Sequence, residues 1–319
     1  MINWVDIQKE IKESNPGGLP DLDGVRRRRI RALADYRKRP LIIYASDFLN
    51  AKKAALAGTD ISLDWSDKLG FVEVTQSLEK GPVDILLHSP GGSADAVQSI
   101  VDILRSKFTD IAFIIPNIAK SAATMLALSG NLLIMDEMSE LGPIDPQFVI
   151  PKRDGVIQAA GQAIIDQFDE AQKLIAADPK MLVPWIPILQ QYGPALYMEA
   201  KNAIKFSRDM VKRWLEKYMF CDDHLAAEKA EAISTFLSSH KNFLSHRKKI
   251  GLTDICDEEE LRELKIHDMN SDLELKDRVR AVYLAIDATF QLSGVFKMFE
   301  NNLDQAMFRV IQVVATPNQ

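Results

Sequence analysis

Three short apolar runs between residues 83 and 147 each end in a loop rich in Gly, Ser or Asp. The runs are residues 83–87, 111–116 and 132–135. Segments long enough for helices separate them, and this alternation predicts right-handed crossover units on a mainly parallel sheet. Open α/β sheets of this kind carry their chemistry where the strands end. We therefore expect an α/β fold with a site at these loops.

The rest of the chain divides by composition and periodicity. Residues 1–39 are basic and helical in pattern, and residues 40–150 hold the strands of the predicted α/β core. Residues 151–319 carry long helical patterns, and we expect them to complete the core and to mediate oligomerisation. The predicted helices are residues 70–78, 95–107, 121–128, 159–177, 195–219, 223–234 and 272–303.

The charge balance bears on the class of partner. The chain of 319 residues has a formal net charge of −6, which argues against a dedicated nucleic-acid binder. The cluster Arg26–Arg29 is a local exception. For this cluster we favour the solvated face of a helix over contact with nucleic acid or a membrane.

Signals for secretion, membrane insertion or cofactor binding are missing from the sequence. Its two cysteines, Cys221 and Cys256, lack metal-like spacing and fit a reducing compartment. The N-terminus does not resemble a leader, and no run approaches the ~20 apolar residues of a membrane span. No phosphate-binding loop or dinucleotide fingerprint occurs. We expect a cytoplasmic protein with no cofactor and no metal.

The first loop has Ser-Pro-Gly-Gly at its centre. Pro90 removes a ladder donor from the strand, and Gly91 with Gly92 lets the backbone approach a bound group closely. Backbone N–H groups in such a turn can stabilise a carbonyl oxygen that becomes negative during acyl transfer. The same residues are also compatible with a plain strand-to-helix turn.

The second loop places Ser121 among small residues at a strand-to-helix transition. Ala119, Ala122 and Ala123 leave room for a substrate carbonyl. The N–H of Ala122, at the start of a helix, can donate to an oxyanion. On residue type alone, a serine here is more typical of a helix N-cap.

Three motifs, taken in order, are similar to those of one protein family. They are His88-Ser89-Pro90-Gly91-Gly92, Ala119-Lys120-Ser121-Ala122-Ala123-Thr124 and Leu141-Gly142-Pro143-Ile144-Asp145-Pro146-Gln147. Together they resemble the serine dehydrogenase proteinase family, which shares the Clp-protease/crotonase fold with signal peptide peptidase A. The resemblance covers most of residues 40–310. It implies a Clp/crotonase-like core of repeated βαβ units with a largely helical C-terminal half.

The resemblance also implies a role for each matched residue. Ser121 matches the nucleophile, and Gly91 matches the first glycine of the oxyanion turn. Ala122 matches the residue whose N–H completes the oxyanion hole. Ala123 departs from the usual Ser-Ala-Gly-Thr motif, which has glycine at that place, and this departure crowds the pocket.

The base that takes the proton from the serine is left open by the sequence. In Clp proteases a histidine stands at about the spacing that separates Ser121 from Asp145. A carboxylate is a weak base for a serine unless burial raises its pKa, and Asp145 can instead fix its loop. His88, Lys120 and His240 are further candidates. Related archaeal membrane-protein proteases use a downstream lysine, and the lysines available here are Lys152, Lys173 and Lys180.

The expected function is a serine hydrolase, specifically a peptidase that forms an acyl-enzyme at Ser121. Members of this fold form trimers or stacked trimers, which implies a homo-oligomer that acts on peptides or on unfolded or membrane-derived protein. Two alternatives stay open. One is a crotonase-type enzyme that stabilises a thioester enolate in the same turn, and the other is a catalytically silent assembly protein.

Overall fold

The computed structural model describes residues 2–15, 18–152, 155–193, 195–243 and 245–311. Its strands are β1 Leu41–Ser46, β2 Gly81–His88, β3 Phe108–Ile114, β4 Ile118–Ala119, β5 Leu132–Met135, β6 Glu140–Leu141, β7 Gln147–Lys152, β8 Gly155–Ala160, β9 Ile266–Asp268, β10 Val295–Asn301 and β11 Ala306–Val310. Its α-helices are α1 Trp4–Ser14, α2 Leu22–Arg37, α3 Ala51–Ala57, α4 Asp67–Gln76, α5 Ala94–Lys107, α6 Ala122–Leu128, α7 Gly161–Ala177, α8 Leu182–Leu189, α9 Leu196–Trp214, α10 Ala226–Ser238, α11 His240–Phe243, α12 Leu252–Asp257 and α13 Leu273–Leu292. Short 3₁₀ turns lie at Gly58–Ile61, Pro179–Met181 and Met269–Ser271, and a π-helical turn lies at Leu215–Met219.

A seven-stranded sheet forms the centre of the described chain, in the order β11-β10-β1-β2-β3-β5-β9. The pairs from β1 through β2, β3 and β5 to β9 are parallel. Strand β10 runs antiparallel to both of its neighbours. The predicted α/β class with a mainly parallel sheet is therefore confirmed, and the three apolar runs correspond to β2, β3 and β5.

Helices cover both faces of this sheet. Side chains alternate along a strand, so Ile42 and Tyr44 join one apolar core while Leu41 and Ile43 join the other. The first core packs against α4, α5, α6, α9 and α10, and the second packs against α2 and α13. The loops after β2 and β3 thus emerge side by side at the carboxyl edge of the parallel strands.

The helix predicted over residues 272–303 is wrong in its last third. Helix α13 ends at Leu292, and Val295–Asn301 is the fully buried strand β10 next to β1. Ser293 and Gly294 separate the two elements, and the Gly294 position leaves a Cβ only 3.0 Å from a Val310 methyl. Pairing with β1 and β11, which the local pattern does not reveal, decides the strand.

Two other boundaries in the second half differ from the prediction. The helix expected from residue 159 begins at Gly161, because residues 155–160 pair with β7 in an antiparallel hairpin. The helix expected over residues 195–219 is α9 followed by the π-helical turn. Residues 312–319 of the predicted C-terminal elaboration lie outside the described residues.

The solvated face expected for the Arg26–Arg29 cluster is wrong for its first member. Arg26 is fully buried, and its Nε lies 2.5 Å from Oε2 of Glu300 on β10. Arg27 also contacts Glu300, while Arg28 and Arg29 pair with Glu10 on α1. These guanidinium groups therefore hold the N-terminal helices onto the rest of the chain.

The lengths and composition of the described helices bear on whether the chain can cross a membrane. Within those ranges, no helix combines the length and the apolar character that crossing a bilayer requires. Both cysteines, Cys221 and Cys256, are unpaired and exposed.

Candidate active site

Ser121 occupies a strained turn between β4 and α6. Its φ of 53° and ψ of −122° lie in a region that residues other than glycine rarely adopt. It stands at the N-cap position of α6, yet its side chain makes no capping hydrogen bond. The N-cap role is therefore not what places a serine here. Strain of this kind accumulates at functional sites, and a sharp strand-to-helix turn is the way hydrolases expose a nucleophilic serine.

Gly91 packs directly against this turn. With its φ of 99°, a Cβ on Gly91 would lie 2.5 Å from the Lys120 carbonyl oxygen and 2.8 Å from the Ser121 Cβ. The same Cβ would lie 3.1 Å from the Ala122 nitrogen. Only glycine fits this approach, which places Gly91 against the Ser121 side chain and near the Ala122 nitrogen.

The backbone N–H groups of Gly91 and Ala122 differ in whether they already have an acceptor within the protein. The Gly91 N–H donates to the Ser89 hydroxyl over 3.2 Å inside the turn. The Ala122 N–H belongs to the first turn of α6, where a helix leaves its N–H groups without an intrahelical acceptor. Both donors belong to the backbone, so their positions depend on how the surrounding loops are held.

A small second sheet brings the third loop beside the nucleophile. Strand β4 pairs in parallel with β6, with Ala119 opposite Leu141. The Thr124 hydroxyl joins the two segments, because it donates to the Ala119 carbonyl over 2.7 Å and accepts from the Gly142 N–H over 3.0 Å. The segment after Gly142 then passes the end of α10, where the Ile144 N–H donates to the Leu237 carbonyl over 2.9 Å.

The same sheet gains a further segment from the C-terminal half. Leu141 and Ile250 exchange both backbone hydrogen bonds, over 2.9 and 3.0 Å. Because this bridge is antiparallel, the residues that precede Ile250 run alongside those that follow Leu141. His246 thereby comes opposite Asp145.

Asp145 is buried and holds two imidazoles. Its Oδ1 lies 2.7 Å from Nδ1 of His246, and its Oδ2 lies 3.1 Å from Nδ1 of His240. Gln147 also donates to Oδ2 over 2.9 Å. Asp145 is 1% exposed, whereas both histidines are partly exposed. A carboxylate that binds Nδ1 fixes the ring and leaves Nε2 to exchange protons.

His88 has a different environment. It is buried between Phe48 and Tyr283, with ring centroids 4.9 and 5.1 Å away. Its Nδ1 accepts from the Ile118 N–H over 3.4 Å, which assigns the ring proton to Nε2. Burial lowers its pKa to about 4. The lone pair of the neutral ring is thus committed to Ile118, which favours a structural role.

The ammonium group of Lys120 also has its hydrogen-bonding partners within the protein. Its Nζ donates to the carbonyl oxygens of Leu141 and Lys248, over 2.8 and 3.3 Å, and lies 3.0 Å from a carboxylate oxygen of Glu140. Burial lowers the pKa of Lys120, and the contact with Glu140 opposes that change. All three ammonium hydrogens have acceptors, so the side chain ties β4 to β6 and offers no lone pair to Ser121.

Of the three downstream lysines, the structure describes the side chains of two. Lys173 on α7 and Lys180 in the following turn are exposed, and the Lys152 side chain lies outside the described part. His246 is the site residue that the sequence reasoning missed. Its signal is a second Ser-His pair, Ser245-His246, shortly after Ser239-His240. Among the described side chains, no group of three or more His, Cys, Asp or Glu residues is arranged to hold a metal ion.

Two uncharacterized proteins of Methanocaldococcus jannaschii are similar to parts of this chain. One is 36% identical over 97 residues, which cover 30% of this chain and 34% of that protein. The other is 38% identical over 69 residues, which cover 22% of this chain and 24% of that protein. The matched part of this chain thus spans about a third or less of the length of these curated relatives.

Two solved structures are also similar, and both are mutants of the 1510-N membrane-bound stomatin-specific protease. The mutant in complex with a substrate peptide is 23% identical, with a TM-score of 0.27, over 34% of this chain and 51% of that chain. A second mutant is 15% identical, with a TM-score of 0.37, over 67% of this chain and 79% of that chain.

A family model matches the part of the chain that carries the site. The match runs over residues 60–182 and has the description ClpP-like SDH-type serine proteinase. This range contains Gly91, Ser121, Ala122 and Asp145. It agrees with the resemblance drawn from the three sequence motifs, which is thereby confirmed. Residues 60–182 of this chain are therefore similar to the ClpP-like SDH-type serine proteinase family.

Proposed function

We propose that this protein is a serine peptidase with Ser121 as its nucleophile. One observation carries the proposal, namely that Ser121 sits at φ 53° on a strand-to-helix turn with Gly91 packed against it. The peptide N–H groups of Gly91 and Ala122 flank the serine and form the oxyanion hole for the tetrahedral intermediate. The Gly91 N–H exchanges its acceptor from the Ser89 hydroxyl to the oxyanion when substrate binds.

The base is an imidazole that Asp145 orients. We assign His246, because its contact with the carboxylate is the shorter one and its segment lies on the small sheet that extends from β4 through β6. Nε2 of His246 takes the proton of the Ser121 hydroxyl as Oγ attacks the substrate carbonyl carbon. The imidazolium then protonates the leaving amine, and an acyl-enzyme ester forms. A water molecule, activated by the same imidazole, hydrolyses this ester.

Ala123 in place of the usual glycine is compatible with this site. Ala123 is fully buried and belongs to the apolar core beneath α6. Its N–H donates to the Lys120 carbonyl over 2.9 Å within the turn. The extra methyl group is thus accommodated by core packing, so the crowding expected from the motif does not count against catalysis.

The substrate and the assembly follow from the resemblance. We propose that the substrate is a peptide or an unfolded or membrane-derived protein. We also propose that the protein is a homo-oligomer built from trimers and that it works in the cytoplasm. Size-exclusion chromatography with light scattering measures the assembly, and a mass of one chain would contradict it.

Active-site titration tests the nucleophile. A fluorophosphonate probe should label the wild-type protein, and peptide mass mapping should place the adduct on Ser121. The Ser121→Ala variant should not be labelled. The control is Ser93→Ala, which removes the N-cap hydroxyl of α5 that accepts from Ala96 over 3.2 Å but leaves the nucleophile in place. A folded wild-type protein without label would reject the hydrolase and leave the crotonase-type enzyme or the silent assembly protein.

A further inference from the structure

A fully buried ion pair lies behind the oxyanion turn. Lys297 on β10 and Asp67 at the start of α4 are both 0% exposed, and the Lys297 Nζ lies 2.8 and 3.0 Å from the two Asp67 oxygens. The Tyr44 hydroxyl donates to Asp67 over 2.9 Å, and so does the Asp64 N–H over 3.2 Å. The site described above uses none of these groups.

The Lys297 ammonium group makes a third contact, with the backbone segment that is hydrogen-bonded to the Gly91 turn. The Lys297 Nζ donates to the Ser62 carbonyl oxygen over 2.8 Å. The next residue, Leu63, donates its N–H to the Gly91 carbonyl over 2.8 Å and accepts from the Ser93 N–H over 2.8 Å. Leu63 therefore holds the glycine turn from both sides as an isolated parallel bridge.

The backbones of Leu63 and Gly92 are in close contact. A Cβ on Gly92 would lie 2.1 Å from the Leu63 carbonyl oxygen and 2.6 Å from its nitrogen. A shift of Leu63 would consequently move the peptide planes between Gly91 and Gly92 and between Gly92 and Ser93. The first of these planes shares the Gly91 Cα with the peptide that carries the Gly91 N–H, so its movement changes the direction of that proposed oxyanion donor.

A stability role alone does not account for this arrangement. Two charges lose their hydration when they are buried, and a buried ion pair is often no more stabilising than apolar residues of the same volume. Its directional contacts can instead specify one backbone arrangement. Here the hydrogen bond that the ammonium group makes beyond Asp67 is the one to Ser62.

We propose that Lys297, held by Asp67, is a positioning residue that clamps Ser62 and Leu63 against the Gly91 turn and so aims the oxyanion N–H. This inference rests on the proposed function of Ser121 and Gly91. Misplacement of a catalytic group by about 1 Å can cost roughly 100-fold in rate. Loss of the clamp should therefore slow acylation and leave ground-state binding unchanged.

The test uses the full chain with Lys297→Met and Asp67→Asn combined. This double variant removes the ammonium and neutralises its partner, and the asparagine can still accept from Tyr44 and Asp64. We expect the maximal rate of fluorophosphonate labelling to fall about 10- to 100-fold. The probe concentration for half-maximal rate should stay within about 2-fold, since apolar contacts to the probe are untouched.

The matched control removes another buried ion pair on the same strand. Arg26 and Glu300 are both 0% exposed, with Nε and Oε2 2.5 Å apart, and no hydrogen bond or ion pair in the described structure joins them to Leu63 or Gly91. Arg26→Met with Glu300→Gln should leave both labelling parameters close to wild type. Should the Lys297 double variant fail to fold, Asp67→Asn alone should give a smaller decrease in the same direction.

Hydrogen exchange at residues 88–94, followed by mass spectrometry, reports on the clamp without any need for activity. Faster exchange in the Lys297 double variant, together with slower labelling, supports the inference. Unchanged exchange, or faster exchange with normal labelling, overturns it. A wild-type protein that is not labelled at all rejects the proposed function instead, whatever the exchange result.

Discussion

Nδ1 of His246 lies 2.7 Å from Oδ1 of Asp145, in a part of the structure where the carboxylate is almost completely buried. The two residues are far apart in the sequence, and the imidazole reaches the carboxylate from another segment of the chain. The antiparallel bridge between Leu141 and Ile250 makes this possible. In the proposed triad the chain order is therefore Ser121, Asp145 and His246.

Replacement of His246 by glutamine should reduce the rate of fluorophosphonate labelling by about 100-fold or more, because general-base catalysis contributes roughly 100- to 10,000-fold. His240→Gln should reduce it less, since its contact with Asp145 is longer, 3.1 Å. His224→Gln is the control, because that side chain is 89% exposed. The measurement is the pseudo-first-order labelling rate. A larger loss in His240→Gln than in His246→Gln would transfer the role of base to His240.

Gly91→Ala should abolish labelling and destabilise the fold. The new Cβ would meet the Lys120 carbonyl oxygen at 2.5 Å, and the backbone has a φ of 99° that alanine rarely adopts. Gly81→Ala separates the two effects, because Gly81 has a φ of 132° with no atom within 4 Å of a Cβ. We expect about 1–2 kcal/mol of destabilisation in Gly81→Ala from backbone strain alone. Chemical denaturation measures the free energy of unfolding of both variants. Equal losses in Gly91→Ala and Gly81→Ala would contradict the close contact between Gly91 and the Lys120 carbonyl oxygen.

Relief of the strained turn should make the protein more stable and inactive. Ser121→Gly removes the hydroxyl and allows the φ of 53° without a Cβ penalty, whereas Ser121→Ala removes only the hydroxyl. We expect the free energy of unfolding of the glycine variant to be about 1 kcal/mol higher than that of the alanine variant. Parallel urea titrations measure the difference. A glycine variant that is less stable than the alanine variant would argue against strain at Ser121.

Stability should depend on pH through His88. Burial lowers the pKa of His88 from 6.5 to about 4 in the folded chain. Between these values the unfolded chain binds a proton that the folded chain does not, so the free energy of unfolding falls as the pH drops from 6.5 towards 4. The loss attributable to this residue is at most about 3 kcal/mol.

The His88→Asn variant tests this dependence. Asparagine can still accept from the Ile118 N–H but does not titrate. Its overall stability should fall because a gap opens between Phe48 and Tyr283, and its pH profile over this range should be flatter than that of the wild type. His224→Asn should keep the wild-type profile. An equally steep profile in His88→Asn would assign the dependence to other groups.

The sequence by itself determined the class of the fold and half of the candidate site. The apolar runs of β2, β3 and β5 are long enough, and close enough to Gly and Ser, for periodicity and turn chemistry to predict them. Gly91, Ser121 and Ala122 follow from local requirements, namely a backbone without a Cβ and a helix start, together with the family motifs. These are properties of consecutive residues.

Only the tertiary structure decided the remainder. Val295–Asn301 fits a helical pattern locally, and its pairing with β1 makes it a strand. The local sequence suggests that Arg26 is a surface residue, but in the structure it is buried and pairs with Glu300. His246 and Lys297 become important through Asp145 and Ser62, which lie far away along the chain. Burial and long-range pairing outweigh local propensity at these positions, because the free energy of a buried charge or a strand depends on partners that the neighbouring sequence does not contain.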